Sequence, residues 1–392
     1  MKILHIIPSI SSLRGGPSQA VLEMVRSLRE NSIDAEILTT NDNGSGLLDV
    51  PLGKPVEYQN VPVYFLPRFS PPIHPIREFA FSGEFTSWLW KNIHNYHLVH
   101  IHAIFSYPST IAMAIARCKN VPYIIRPLGQ LCEWSLKQSA LRKNIYLNLI
   151  EKTNLNQAQY LHLTSELEQQ ELSHLQLKTP SFILPHGLKI PTTIPEARQK
   201  LRKQLNLPAD EPIILFLSRL HPKKGLDYLI PALEKLTQHR FTFVIAGSGD
   251  AHYEAEIKTL LETHKISDRT HMVGFVKGEK KNLLMQGADI FTLTSYSENF
   301  GVAVLEALAS GLPVVVTPEV ALSSLVAKHQ LGYVVSQEIL NISTTVEKLL
   351  SNPQEAKKMG LLASELISKQ YSWNNIAKNL NEVYEKITYQ KE

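Results

Sequence analysis

Short apolar runs alternate with amphipathic stretches along most of the chain, which predicts strands alternating with helices. The first run, KILHIIP, is followed by a loop and by QAVLEMVRSLREN, in which apolar residues recur at helical spacing. The next run, AEILTT, predicts a second strand. A strand, a helix and a strand in this order form the βαβ unit of a parallel, doubly wound sheet.

Two glycines, Gly15 and Gly16, lie between the first predicted strand and the first predicted helix. Ligands of doubly wound sheets bind at this edge, beyond the carboxyl ends of the strands. Glycine there allows a phosphate or a sugar to approach the backbone, but a flexible turn before a helix explains the pair equally well. The G-x-G-x-x-G fingerprint is absent, which argues against a dinucleotide site and hence against a dehydrogenase.

Polar residues follow two further strands of this half. The run Leu98–His102 predicts a strand with His100 and His102 on one face, and VPYIIRPLG places Arg126 at the same edge of the sheet. A histidine at the carboxyl end of a strand is well placed for a ligand, although it is also commonly a hydrogen-bonded structural residue. Residues 43–85, rich in proline, glycine and aromatic residues, predict a long loop with one strand in it, of the kind that shapes an acceptor pocket.

The alternation of strands and helices resumes after a linker rich in proline and glycine between residues 185 and 195. The runs EPIILFL, FTFVIAG, HMVGFV and DIFTLT, with helical stretches between them, predict a second α/β domain. A chain of 392 residues is also long for one core. We therefore predict one domain over residues 1–187, a second over residues 188–370, and a C-terminal helix over residues 371–392.

The loop after the first strand of the second half carries two cations, Arg219 and Lys224. Arginine binds a diphosphate as a fork and lysine binds it as a point charge, so this loop suits a diphosphate. A solvated basic loop is the alternative. Gly247 follows the next strand, and backbone groups near Val276 follow the one after, where they could read a nucleotide base.

The stretch from Thr294 to Thr317 predicts a loop, a helix over Val302–Ala309, a stop at Gly311 and a strand. Glu306 is the helix's one charge, and a carboxylate in so apolar a helix needs a partner. It lies about 7 to 8 Å along the helix from Gly301.

A second carboxylate, Glu298, precedes this helix. The amides around Phe300 and Gly301 form an anion site, so a diphosphate fits between the two carboxylates. One carboxylate then faces a sugar and the other a ribose. From spacing alone, an ordinary loop carboxylate and an ordinary helix-surface carboxylate explain the pair equally well.

Composition narrows the class of protein. The net charge of +4, from 40 basic and 36 acidic residues, is too small to indicate a nucleic-acid partner. Two cysteines cannot form a disulfide framework and no histidine spacing matches a metal motif, so we expect a reducing cytosol and no structural metal. The N-terminus predicts a strand rather than a signal peptide, and nowhere do about 18 apolar residues run together.

One amphipathic stretch, residues 132–165, interleaves basic and apolar residues. Lys137, Arg142, Lys143 and Lys152 alternate here with leucine, isoleucine and tryptophan. A helix packed on its own sheet explains this pattern, and so does contact with an anionic membrane surface.

Several of these motifs together resemble the retaining glycosyltransferases of family 4. ENFGVAVLEALASGLPVV is similar to the family's E-x7-E signature, and SRLHPKKG is similar to its diphosphate clamp. More loosely, HIH followed by YPS resembles its acceptor-side motif, and ILPHG resembles the segment that closes its N-terminal domain. The resemblance covers nearly the whole chain. It implies the GT-B fold, two doubly wound Rossmann-like α/β domains facing a cleft, with the last helix crossing back to the first domain.

The resemblance also implies roles for particular residues. Catalysis is expected to involve His102, Arg219, Lys224 and Glu298, with His102 near the transferred sugar. On the acceptor side we expect His102 and, from its place at the sheet edge, Arg126. The donor is expected to contact Gly16, Arg219, Lys224, Gly247, Val276, Glu298, Asn299, Phe300, Gly301 and Glu306.

The implied reaction moves a hexosyl group from a nucleoside diphosphate sugar to a hydroxyl of a sugar or lipid-linked saccharide, with retention at the anomeric carbon. We expect a cytoplasmic enzyme, or one peripheral on the cytoplasmic face of a membrane, that assembles polysaccharide or glycolipid without a metal or cofactor. Glu298 would hold the sugar's hydroxyls and Glu306 the ribose. A same-fold nucleotide-sugar epimerase and a non-enzymatic sugar-binding protein are the alternatives.

Overall fold

The computed structural model describes residues 1–138 and 140–389, which form two compact units. The first unit comprises residues 1–187 together with the final helix, and the second comprises residues 188–372. Ser139, within the amphipathic stretch, and residues 390–392, within the predicted C-terminal helix, lie outside the described residues.

Within the described residues, the first unit has an eight-stranded sheet and a two-stranded hairpin. The strands are β1 Lys2–Ile6, β2 Asp34–Thr40, β3 Asp42–Asn43, β4 Gly46–Leu47, β5 Pro55–Tyr58, β6 Val61–Leu66, β7 Leu98–His102, β8 Tyr123–Arg126, β9 Tyr160–Leu163 and β10 Ser181–Ile183. The sheet order is β10-β9-β8-β7-β1-β2-β6-β5, and its neighbours are parallel except β5 and β6. The β3–β4 hairpin is separate.

Helices cover both faces of this sheet. They are α1 Gly16–Glu30, α2 His74–Glu78, α3 Gly83–Asn92, α4 Tyr107–Cys118, α5 Glu133–Lys137, α6 Ala140–Tyr146, α7 Lys152–Asn156 and α8 Glu166–Leu172. The final helix, Trp373–Tyr389, packs beside α1 and buries Leu380 and Tyr384 in the core on that face. The central strands are buried on both faces, which is why they appear in the sequence as short, largely apolar runs in which the histidines are buried too.

The interval from residue 43 to residue 85 is more regular than the predicted loop with one strand. It contains β4, the antiparallel pair β5–β6, and helix α2, and α3 begins at Gly83. The prolines make strands hard to predict in this interval, because Pro55 and Pro62 lie within the strands themselves. The strand β5 is at the sheet edge and β6 is next to it, so a missing N–H is tolerated better here than in a central strand.

Among its described residues, the second unit has a six-stranded parallel sheet of order β13-β12-β11-β14-β15-β16. Its strands are β11 Ile213–Leu217, β12 Thr242–Ala246, β13 Thr270–Gly274, β14 Ile290–Leu293, β15 Val314–Val316 and β16 Gly332–Val334. Its helices are α9 Ala197–Gln204, α10 Leu226–Glu234, α11 Ala251–Thr263, α12 Gly278–Gly287, α13 Val302–Ala309, α14 Ser323–His329, α15 Ile339–Ser351 and α16 Pro353–Gln370. With these named, the final helix is α17.

The amphipathic stretch folds as short helices rather than one. A π-helical turn, Leu147–Glu151, joins α6 to α7. Leu147 is buried, whereas Leu141 and Leu149 are each 75% exposed and Ile145 is 51% exposed. The stretch therefore packs on its sheet by one side and presents apolar side chains on the other. A bilayer-spanning helix is absent from the part of the chain that the structure describes.

Candidate functional site

The cationic loop of the second unit joins β11 to α10. Arg219 is exposed, whereas Lys224 ends the 3-10 turn Pro222–Lys224 and is only 6% exposed. Gly225 follows with a φ of 71°, and a Cβ on it would lie 1.9 Å from the carbonyl oxygen of Thr294. Only glycine fits there, and it brings the cationic loop against the loop that follows β14.

This close approach pairs Lys224 with Glu298. The ammonium group of Lys224 donates a hydrogen bond to Oε2 of Glu298, and the side chains are 7% and 19% exposed. The backbone of Glu298 is held as well, because its N–H donates to the carbonyl of Glu319 at 2.9 Å. The structure thus joins one predicted cation to one predicted carboxylate, 74 residues apart in the chain.

Gly247 lies at the carboxyl end of β12, against the same cationic loop. Its φ is 148°, and a Cβ on it would lie 1.8 Å from the carbonyl oxygen of Ser218, the residue before Arg219. Its N–H donates to the carbonyl of Gly274 at the end of β13, at 2.8 Å. Glycine at this position lets three neighbouring strand ends come together, which explains the residue without reference to any ligand.

Helix α13 begins where the sequence predicts. Gly301 precedes it with a φ of 85° and supplies no side-chain cap. The first amides of a helix have no intrahelical acceptor, so a start of this kind suits an anion. Phe300 is 3% exposed and packs in the core, and Asn299 lies beside it, half-buried.

The partner that Glu306 requires is Lys281 of α12. Its ammonium group lies 2.5 Å from Oε1 of Glu306, and the two side chains are 28% and 20% exposed. Sequence reasoning missed Lys281, because nothing in the spacing of α12 distinguishes it from its neighbours Lys277 and Lys280. Val276 precedes α12 and packs against the core as a half-buried residue.

In the first unit, Gly16 is exposed at the start of α1, and a Cβ on it would meet no atom within 4 Å. The preceding turn is fixed by an ionic network that sequence reasoning missed. Arg14 donates to both carboxylate oxygens of Asp42, at 2.7 and 2.8 Å, and to Glu78 at 2.6 Å. Arg68, 4% exposed, donates to Asp42 as well. The space beside Gly16 is therefore open while the turn itself is held.

His102 and Arg126 lie at the carboxyl edge of the sheet, where the sequence placed them, and both side chains are buried there. They are register partners at the ends of β7 and β8, and both are 0% exposed. The loops that follow contain Ala103, Phe105 and Leu128 with φ values of 69°, 55° and 57°. Non-glycine residues in the left-handed region have a strained backbone, and such residues are concentrated at active sites and ligand-binding sites.

His102 belongs to a cluster of buried rings on the sheet face that α1 and α17 cover. His5, His100 and His162 share that face with it, and Tyr384 of α17 completes the cluster. Burial lowers the pKa of His5 to about 3 and holds the pKa values of the other three histidines well below their usual range. The rings are therefore neutral.

A buried cation lies beside this cluster. The Arg126 guanidinium donates to Nδ1 of His186 at 3.1 Å, and burial lowers the pKa of Arg126 to about 10. His186 is buried too, and burial keeps its pKa well below its usual range. His5, His100 and His102 bring three ring nitrogens within 4.8 Å of one another, a grouping that could hold a metal ion and that the sequence spacing did not show.

Comparison with known proteins gives a consistent result for both units. Residues 15–184 match the family model described as glycosyl transferase 4-like domain, and residues 197–366 match the model described as glycosyl transferases group 1. An uncharacterized glycosyltransferase of Methanocaldococcus jannaschii is 34% identical over 194 residues, which is 48% of this chain and 48% of that protein. The matches span about half the length of the first curated relatives.

Solved structures resemble the whole chain. A sucrose-phosphate synthase from Thermosynechococcus elongatus has a TM-score of 0.80 at 20% identity, covering 100% of both chains. Anabaena HepE, solved in complex with UDP and glucose, has a TM-score of 0.76 at 20% identity, covering 98% of this chain and 100% of that one. At this identity the likeness establishes the fold, which is that of the GT-B proteins with two Rossmann-like domains.

Proposed function

The chain belongs to the GT4-like glycosyltransferases, and we propose that it moves a hexosyl group from a nucleoside diphosphate sugar to a saccharide hydroxyl with retention at the anomeric carbon. One observation carries this proposal. The ion pair of Lys224 with Glu298 joins the cationic loop to the loop that leads into α13. That arrangement offers a diphosphate two cations and a helix start, with a carboxylate beside them for sugar hydroxyls.

Transfer requires the bond between the anomeric carbon and the diphosphate oxygen to break. Negative charge then grows on the leaving diphosphate, and groups fixed in advance near that charge lower the barrier. Arg219, Lys224 and the first amides of α13 are such groups in this proposal. Lys224 is already held in place by Glu298, so little reorganisation is needed when the charge develops.

In the proposed reaction no side chain acts as a nucleophile. The acceptor oxygen forms its bond to the anomeric carbon on the face from which the diphosphate leaves, and the departing phosphate oxygen takes the acceptor's proton. The configuration is thereby retained. The charge that a divalent metal neutralises in other transferases is here offset by Arg219 and Lys224, so we propose a reaction without a metal.

Two carboxylates are assigned to different parts of the donor. Glu298 would accept hydrogen bonds from the sugar's hydroxyls through the oxygen that Lys224 does not occupy. Glu306 would accept them from the ribose, with Lys281 holding its other oxygen. Because the UDP complex of HepE has the same fold, a uridine diphosphate sugar is the first donor to test.

The acceptor is proposed to be a sugar or a lipid-linked saccharide, used in polysaccharide or glycolipid assembly at the cytoplasmic side of a membrane. The exposed Leu141, Ile145 and Leu149 support this, since an apolar stripe beside Arg142 and Lys152 suits an anionic lipid surface. Binding to vesicles of anionic and of neutral lipid, compared for the native protein and for Leu149→Ser, would test this part of the proposal.

The transfer itself is tested by the release of nucleoside diphosphate. Purified protein is incubated with nucleotide sugars, each with and without a pool of saccharide acceptors. A transferase releases nucleoside diphosphate in proportion to added acceptor. An epimerase changes the sugar while acceptor makes no difference, and that result would overturn the proposal.

A further inference from the structure

The buried ring cluster of the first unit forms one continuous hydrogen-bonded chain. Nε2 of His162 lies 2.8 Å from the carbonyl oxygen of Leu184, and Nδ1 of His162 lies 3.2 Å from Nε2 of His100. Nδ1 of His100 lies 2.7 Å from the hydroxyl of Tyr384, which lies 3.4 Å from Nε2 of His5. The last link joins Nδ1 of His5 to Nε2 of His102, at 3.0 Å.

The direction of every proton in this chain follows from its first link. A carbonyl oxygen only accepts, so His162 must carry its proton on Nε2. A neutral imidazole carries one N–H, so Nδ1 of His162 accepts from Nε2–H of His100. The same rule makes Tyr384 donate to Nδ1 of His100 and accept from Nε2–H of His5.

At the other end of the chain, His102 is left with its proton on Nε2 and a lone pair on Nδ1. Among the described residues this Nδ1 has no hydrogen-bond partner, and neither do Nε and Nη1 of Arg126. One acceptor and two donors are therefore buried and unpaired at the ends of two neighbouring strands. A sugar hydroxyl satisfies such a set, because it donates one hydrogen bond and accepts others.

The chain cannot act as a proton relay, because it ends at the Leu184 carbonyl, which neither gives nor takes a proton. Its effect is to fix a tautomer. We propose that Tyr384 is a positioning residue that, through His5, holds His102 in the Nε2–H tautomer, so that Nδ1 of His102 accepts a hydrogen bond from a sugar hydroxyl. This inference rests on the proposed function for its ligand and on the hydrogen-bond geometry for the tautomer.

A metal ion is the competing occupant, since His5, His100 and His102 bring three ring nitrogens together. The geometry favours the tautomer chain for two reasons. Nδ1 of His5 is already engaged by His102, and the buried guanidinium of Arg126 repels a second cation. Zinc titration is therefore one arm of the test. Stoichiometric zinc binding that is lost in His5→Ala, and that shifts the nitrogen NMR signals of these three histidine rings, would overturn the proposal.

The tautomer is measured directly by nitrogen NMR of protein labelled at histidine. For His102, assigned by loss of its signals in His102→Asn, we expect a protonated Nε2 and an unprotonated Nδ1 at neutral pH. In Tyr384→Phe we expect a second set of His102 signals with the proton on Nδ1. Tyr389→Phe, on the same helix but 69% exposed, is the matched control and should keep one tautomer.

Two isosteric substitutions test which ring nitrogen meets the sugar. In His102→Asn the amide oxygen takes the place of Nδ1, whereas in His102→Gln the amide takes the place of Nε2. We expect His102→Asn to keep a kcat/KM at least about tenfold above that of His102→Gln, the effect of about one hydrogen bond. Tyr384→Phe should lower kcat/KM while leaving the affinity for nucleoside diphosphate unchanged.

The outcomes separate the inference from the proposed function. A protonated Nδ1 in the native protein, or a single unchanged tautomer in Tyr384→Phe, overturns the inference even if transfer is observed. Higher activity of His102→Gln than of His102→Asn does the same. Absence of any acceptor-dependent transfer by the native protein, with the tautomer as stated, overturns the proposed function and leaves the positioning chain standing.

Discussion

Lys224 differs from an ordinary loop lysine in that it is buried against a carboxylate. Its side chain is 7% exposed, and its partner Glu298 is 19% exposed. From sequence, Arg219 and Lys224 looked like two equivalent loop cations. The structure distinguishes them, because Arg219 is exposed, whereas removing Lys224 deprives the carboxylate of Glu298 of its partner.

We predict that Arg219→Ala and Lys224→Ala each lower turnover by about a hundredfold or more, because each removes a positive charge that stabilises the leaving diphosphate. Lys224→Ala should also lower the free energy of unfolding, by about 1 to 3 kcal/mol, because Glu298 loses its charged hydrogen bond. Steady-state kinetics and urea unfolding measure the two effects. Lys235→Ala, which replaces an exposed lysine at the end of α10, is the control. Near-native turnover of Arg219→Ala or of Lys224→Ala would contradict the proposed role of these cations in binding the diphosphate.

Substitutions of Glu298 and of Glu306 should have different effects on nucleotide binding and on turnover. We predict that Glu306→Gln weakens binding of nucleoside diphosphate by about 1 to 3 kcal/mol, because the free nucleotide carries the ribose. Glu298→Gln should leave that affinity nearly intact and lower turnover, because a misoriented sugar loses its near-attack geometry. Titration calorimetry of both variants distinguishes them. The opposite pattern would mean that the donor lies along α13 in the reverse direction.

At the scale of elements, glycines decide whether the strand ends can meet. We predict that Gly247→Ala lowers the free energy of unfolding by several kcal/mol and abolishes nucleotide binding, because its Cβ would lie 1.8 Å from the carbonyl of Ser218. Gly16→Ala is the matched substitution, since a Cβ there meets no atom within 4 Å. Gly16→Ala should leave the free energy of unfolding within about 1 kcal/mol of the native value, and it should lower activity only if a ligand approaches the backbone at residue 16.

Elements with a strong local signal were predictable to the residue. The strand Leu98–His102 and the helix Val302–Ala309 have the predicted bounds, because apolar residues define both locally and the glycines Gly301 and Gly311 bracket the helix. Within residues 43–85 the sequence predicted only one strand, because the prolines there argue against strands and strand pairing depends on distant neighbours.

The side chains that pair within the candidate site could not be predicted from the sequence, because they are far apart in the chain. Lys281 is one of several lysines near the start of α12, and Tyr384 lies 379 residues from His5. A pattern of local periods carries no information about which distant side chains meet. For His102 the sequence left a ligand-binding and a structural role open, because α17, the helix that covers its face, comes from the end of the chain.

At the scale of the whole molecule, the buried histidines make the first unit sensitive to acid. A histidine whose pKa is lowered on folding stays neutral in the native state, while the unfolded ring takes a proton below about pH 6.5. Its contribution to stability is therefore complete above that pH and is lost as the pH falls. His5, His100, His102, His162 and His186 are all of this kind.

We predict that the free energy of unfolding of the first unit falls between pH 7 and pH 5, with a limiting slope on the order of 7 kcal/mol per pH unit for the five rings together. All four tryptophans belong to that unit, so their fluorescence during urea unfolding reports on it alone. His174→Gln removes an exposed histidine and should not alter the slope. A stability that is flat across this range would show that the rings are not held neutral.

The central claim is that the protein's own cations, rather than a metal, offset the charge of the leaving diphosphate. The most direct measurement is the initial rate of acceptor-dependent nucleoside diphosphate release in excess EDTA, compared with the rate in magnesium or manganese. We expect the same rate in all three conditions, and we expect Arg219→Ala to lower that rate equally in each. Loss of the reaction in EDTA and its return with either metal would contradict it.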